Sequence, residues 1–137
     1  MLAHSLAVVR CLRPDMPLLP RAVVEAVLLS EGTIGSADEV ARRLGLRNRF
    51  QLARLLKHQG LPPLHRLAEW ATLESWVLSA ERDGVSLCHI AFRSKRHPSA
   101  CYRLVKEITG LGWEEVRGRG SAWVQHEFSK SLHPLST

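Results

Sequence analysis

With 137 residues, 45% of them hydrophobic and 23% charged, the chain has the make-up of one folded domain plus a short appendage, which excludes wholesale disorder. A formal net charge of +6 favours polyanionic partners. No apolar run approaches the roughly 20 residues of a membrane span, and the opening residues lack the apolar core and cleavage site of a signal peptide. Three cysteines (Cys11, Cys88 and Cys101) without Cys-x-x-Cys spacing fit a reducing, cytoplasmic setting.

Residues 1–19 form a lead-in broken by Pro14 and Pro17, in which residues 6–9 read either as a short strand or as the remnant of an upstream domain. A helix is expected from Pro20 or Arg21, since proline suits a first helical turn; Val23, Val24, Val27 and Leu28 share one face, and Gly32 ends it. Ser36 followed by Glu39 is a capping box. It opens a short helix carrying Val40, Ala41 and Leu44 that stops at Gly45. Asn48, with Gln51 three residues on, starts another helix whose apolar face is Leu52, Leu55 and Leu56. Gly60-Leu61-Pro62-Pro63 closes it.

From Leu64 to Arg82 there is no Gly or Pro, which predicts one helix about 28 Å long with Trp70 and Trp76 in the core. Asp83-Gly84 ends it, and the pattern then repeats. Ser86 caps a short helix carrying Leu87, Ile90 and Ala91, and Ser94-Lys95-Arg96 makes a turn. His97-Pro98 opens a helix with Cys101, Leu104 and Val105 on its apolar face. Gly110-Leu111-Gly112 closes that helix and a last helical turn is expected over 113–117, Glu114 and Glu115 suiting a helix start. Residues 119–137 read as a loose tail, with Trp123, Val124 and Phe128 available to dock. The expected fold is all-α, about seven helices, with one helix-turn-helix subdomain at 20–63, a linker helix at 64–83 and a second subdomain at 84–118.

Charge follows the same division. Between Val40 and Ala68 there is no acid, while Arg42, Arg43, Arg47, Arg49, Arg54, Lys57 and Arg66 all occur. Between Gly84 and Lys106 there is again none, against Arg93, Lys95, Arg96, Arg103 and Lys106. A merely solvated surface intersperses both signs, so two acid-free windows suggest two anion-binding surfaces.

The duplication is also visible in the residues. Val40-Ala41, Arg54-Leu55-Leu56-Lys57 and Gly60 in the first unit correspond to Ile90-Ala91, Arg103-Leu104-Val105-Lys106 and Gly110 in the second. In order and spacing residues 36–117 resemble the DNA-binding domain of the AraC/XylS-type bacterial transcription regulators. Gly110-Leu111-Gly112-Trp113-Glu114-Glu115-Val116-Arg117 is similar to that family's closing Gly-x-Thr-Pro-x-x-Tyr-Arg. Lys95 departs from the family's turn glycine, Leu56 and Val105 from its Phe, Gly112-Trp113 from its Thr-Pro, and Val116 from its Tyr. The resemblance implies duplex DNA as partner, RNA polymerase as a further one, and regulation of transcription in the cytoplasm.

The second helix of such a unit offers its outer face to base edges in the major groove. In the first unit that face is Phe50, Ala53 and Arg54, flanked by Arg49 and Gln51; in the second it is Ser99, Tyr102 and Arg103. Arg47, Lys57, Arg96 and Lys106 are placed for phosphates, which set register rather than sequence. Duller readings stand beside these: Arg54 and Arg103 as solvated arginines, Phe50 as packed on the turn, Tyr102 as a wet surface residue, Cys101 as a core thiol. Nothing marks Cys88 as reactive. No catalytic constellation, phosphate loop, cofactor signature or metal-ligand spacing occurs; the seven histidines lack an H-E-x-x-H pattern. The alternatives to DNA readout are a protein-interaction module on the same fold and an RNA binder, the latter disfavoured by the few exposed aromatics.

Overall fold

Proline and glycine set most of the helix ends. The computed structural model describes Ala7, Arg10 and residues 13–132. Residues 6, 8 and 9, on which the strand expectation rests, lie outside these, as does Cys11. Among the described residues seven helices and no strand occur: α1 (Leu18–Leu29), α2 (Ala37–Arg43), α3 (Arg49–His58), α4 (Leu64–Asp83), α5 (Leu87–Arg93), α6 (Pro98–Thr109) and α7 (Trp113–Ser131). The chain is therefore all-α. Helix α1 starts directly after Pro17, ahead of the expected Pro20, which sits buried in the first turn where its missing N–H has no partner to lose. At its far end Gly32 donates to the Val27 carbonyl at 2.9 Å. A side chain at Gly32 would collide with the Thr72 hydroxyl and the Ala68 carbonyl, so glycine lets the end of α1 approach α4.

The two helix pairs α2–α3 and α5–α6 end their first helices in the same turn. Leu46 N–H donates to Ala41 O and Gly45 N–H to Arg42 O; Arg96 N–H donates to Ala91 O and Lys95 N–H to Phe92 O. Each is a Schellman closure, which needs its central residue in the left-handed region. Gly45 holds φ 79°, and Lys95 holds φ 57° despite its side chain. Ala41 and Ala91, then Leu52 and Cys101, then Leu56 and Val105 are buried at matching positions.

Helix α4 is the shared spine. Leu64, Leu67, Trp70, Ala71, Leu73, Trp76, Val77 and Ala80 are buried around much of its circumference, as a helix covered by neighbours requires. Its most extensive partner is α7, which corrects the expectation of a loose tail. The helical path after Gly118 continues to Ser131, and Val124, Phe128 and Leu132 are in the core. Trp70 and Phe128 stack with centroids 5.9 Å apart. Gly120 bends the path with φ 87° and ψ 172°, a conformation essentially confined to glycine. Glu81 at the end of α4 accepts from Ser121 N–H at 3.1 Å and so restarts the helix beyond the bend. Buried Arg13 donates to Leu132 O at 2.7 Å and to Gln59 O at 3.3 Å, tying the ends of α7 and α3 together.

Candidate nucleic-acid interface

Local chemistry fixes the start of α3 tightly. Asn48 Oδ1 accepts from Phe50 N–H at 3.1 Å and from Gln51 N–H at 3.0 Å, while Asp38 Oδ1 accepts from Arg49 N–H at 3.0 Å. Gln51 Oε1 accepts from Arg47 N–H at 2.7 Å. The orphan donors of this helix terminus are thus met by the chain's own side chains, so the helix amides are not free to take an anion. In α2 the predicted capping box forms in one direction: Ser36 Oγ accepts from Glu39 N–H at 3.2 Å, while the Glu39 carboxylate lies 3.8 Å from Arg43.

The expected outer faces are exposed. On α3 these are Arg49, Phe50, Ala53, Arg54 and Lys57, with Arg47 ahead of the helix; on α6 they are Ser99, Tyr102, Arg103 and Lys106, with Arg96 ahead of it. Among the described residues Arg42, Arg47, Arg49, Arg54, Lys57, Arg93, Lys95, Arg103 and Lys106 form no ion pair, so their charge is directed to solvent. Arg43 and Arg66 are the cations of the two windows that pair, with Glu39 and with Glu69.

Several side chains are already engaged. Gln51 is half-buried and holds the Arg47 amide, which makes it a capping residue before it is a base reader. Ser99 Oγ lies 2.7 Å from His97 Nδ1, and that nitrogen also accepts from Ser99 N–H at 3.2 Å. The Arg96 guanidinium stands 5.6 Å over the Trp76 ring, so part of this phosphate candidate's side chain packs on α4. Arg49 stands 5.0 Å over the Phe50 ring, which is 63% exposed, so Phe50 is not a core residue. Tyr102 Oη meets Cys88 Sγ at 3.7 Å, and this hydrogen bond first, then burial, raises the phenol above its ordinary range. Burial likewise pushes the Cys101 thiol up, against the pull of the Arg96 charge.

One feature had no local signal. Between α3 and the start of α4 lies a groove of about 680 Å³, open on one side and mostly apolar. Ile34, Phe50, Ala53, Leu56, Leu64 and Ala68 contribute to its walls. The face of α3 is therefore divided: Phe50, Ala53 and Lys57 border the groove, whereas Arg54 does not. The groove follows from how two successive helices are set against each other, which periodicity within either helix does not encode.

Among the described residues no cluster of histidine, cysteine or carboxylate side chains is arranged to hold a metal, and no helix is long and apolar enough to cross a membrane. No family model matches the chain, and no curated protein or solved structure matches it.

Proposed function

We propose that the chain binds duplex DNA sequence-specifically and regulates transcription from the cytoplasm, as a binding protein rather than an enzyme. Helices α3 and α6 would enter successive major grooves, about one turn or roughly 34 Å apart, with α4 between them as spacer. The observation that carries this reading is the repeated face at i, i+3, i+4 and i+7. Phe50, Ala53, Arg54 and Lys57 in one unit match Ser99, Tyr102, Arg103 and Lys106 in the other, all exposed and with their cations free of carboxylates among the described residues. Arg54 and Arg103 are placed for guanine, and Lys57 and Lys106 for phosphate.

Selection from a randomised duplex library at physiological salt tests it; a gapped motif is the expected product. On the selected site Arg54→Ala costs about 1–3 kcal/mol and relaxes preference at one position. Lys57→Ala weakens all sequences about equally and lowers the salt slope by about one. Unchanged affinity and preference for Arg54→Ala would remove α3 from the reading. A protein-interaction module is the second reading, favoured by the apolar groove beside α3. Absence of any enriched duplex, with a protein bound there instead, would select it.

A further inference from the structure

The groove between α3 and α4 has the shape and charge of a helix-docking site. Its walls are themselves helices. Phe50, Ala53 and Lys57 stand at i, i+3 and i+7 on α3, and Leu64, His65 and Ala68 at i, i+1 and i+4 on the start of α4. Ridges at these spacings accept the ridges of a third helix. About 680 Å³ of mostly apolar space at the surface of a basic chain is room for several buried side chains. The charged groups of the rim have one sign: Arg49 and Lys57 border the apolar floor beside His65, and among the described lining residues there is no Asp or Glu. In the stretch that supplies the lining, residues 34–68, the acids are Asp38 and Glu39; Asp38 accepts from the Arg49 amide and Glu39 lies 3.8 Å from Arg43, and from Val40 to Ala68 there is none. An apolar floor with a cationic rim complements an amphipathic helix with apolar residues on one face and carboxylates beside them.

We propose that this groove docks an acidic amphipathic helix of a partner protein, and that the docked helix and duplex DNA exclude one another at α3. The docking stands on the groove alone; the exclusion rests on the DNA reading, because Phe50, Ala53 and Lys57 belong to both surfaces.

Two displayed libraries of 16-residue amphipathic helices test the docking. Their apolar positions vary among Leu, Ile, Phe and Trp, and their flanks are fixed as Glu in one and Lys in the other. The Glu library enriches, and the selected peptide shifts amide resonances of Ile34, Phe50, Leu64 and Ala68. Substituting Lys for Glu in that peptide weakens it about tenfold. His65→Glu, at an exposed rim position on α4, weakens the acidic peptide roughly threefold or more and leaves its helical unfolding curve unchanged. Ala68→Phe fills the floor and abolishes binding; if that variant does not fold, His65→Glu carries the test. Enrichment of neither library, preference for Lys flanks, or a shift map away from the groove overturns the docking, as does saturable oleate binding without peptide enrichment.

The two readings fail separately. Arg54 lies outside the groove, so Arg54→Ala reduces duplex binding and leaves the peptide unaffected. Peptide binding without any duplex binding would end the DNA reading and spare the docking. Simultaneous binding of both ligands would end the exclusion.

Discussion

Lys95 shows how one residue carries both a legible pattern and a departure from it. Its place after a short helix marks a turn, and it takes the left-handed conformation that Gly45 takes in the first unit. A side chain there costs roughly 1–2 kcal/mol, of which the unfolded chain's extra freedom cancels part when glycine is substituted. Lys95→Gly is expected to stabilise the fold by about 1 kcal/mol in urea unfolding, with no change in slope. A destabilised variant would mean that the Lys95 side chain contributes contacts that outweigh the strain. The thiols make a second residue-scale prediction. Cys101 is 1% exposed with its thiol pushed up by burial, whereas Cys88 is exposed. Thiolate is the reacting form, so iodoacetamide at mild alkaline pH should label Cys88 in the folded chain and Cys101 only in denaturant. Equal labelling rates would contradict the burial of α6's inner face. The core role of Cys101 was legible because its neighbours at helical spacing, Leu104 and Val105, are apolar; the hydrogen bond between Tyr102 and Cys88 was not, because it joins two helices.

At the scale of elements, helix starts were the most legible feature. Ser36, Asn48 and Ser86 cap the helices they were expected to cap, and His97, expected only to open α6 together with Pro98, caps it as well. What sequence spacing missed is how much more than one residue serves α3. Asp38 reaches across from α2 to the Arg49 amide, eleven positions away, and Gln51 turns back to Arg47. Asn48→Ala should therefore cost about 1 kcal/mol, within the usual range for a lost cap, rather than unfold α3. On the proposed DNA reading its sharper readout is duplex affinity, which should fall because Phe50 and Arg54 ride on the loosened turn. A variant with lowered stability and unaltered duplex affinity would argue that α3 does not touch DNA. The outer faces of α3 and α6 could be read from their spacing; the groove beside α3 depends on where α4 lies and is written in no local pattern. The end of α7 was misjudged for a related reason. Gly118 and Gly120 look like punctuation, yet Val116, Val124, Phe128 and Leu132 keep the inward stripe once Gly120 is treated as a bend capped by Glu81.

Across the whole molecule, the two helix pairs are not independent beads on a rod. Trp70 and Trp76 of α4, Trp113, Val124 and Phe128 of α7, and Val24 and Leu28 of α1 belong to one continuous core. Arg13 adds a polar tie between the ends of α3 and α7. A shared core predicts cooperative unfolding, and Phe128 is the residue at which to test it. It is 2% exposed and stacks on Trp70 with the two planes 8° apart. Truncating such a side chain costs about 3–5 kcal/mol, a large share of the 5–15 kcal/mol by which a typical domain is stable. Phe128→Ala should move the whole urea transition to lower concentration, with tryptophan fluorescence and helical circular dichroism still coincident. If the units fold separately, the two probes will part and only one transition will shift. A coincident shift would mean that the segment beyond Gly118, the part of the chain that looks most dispensable in the sequence, is what packs α7 on α4 and makes the two helix pairs unfold as one.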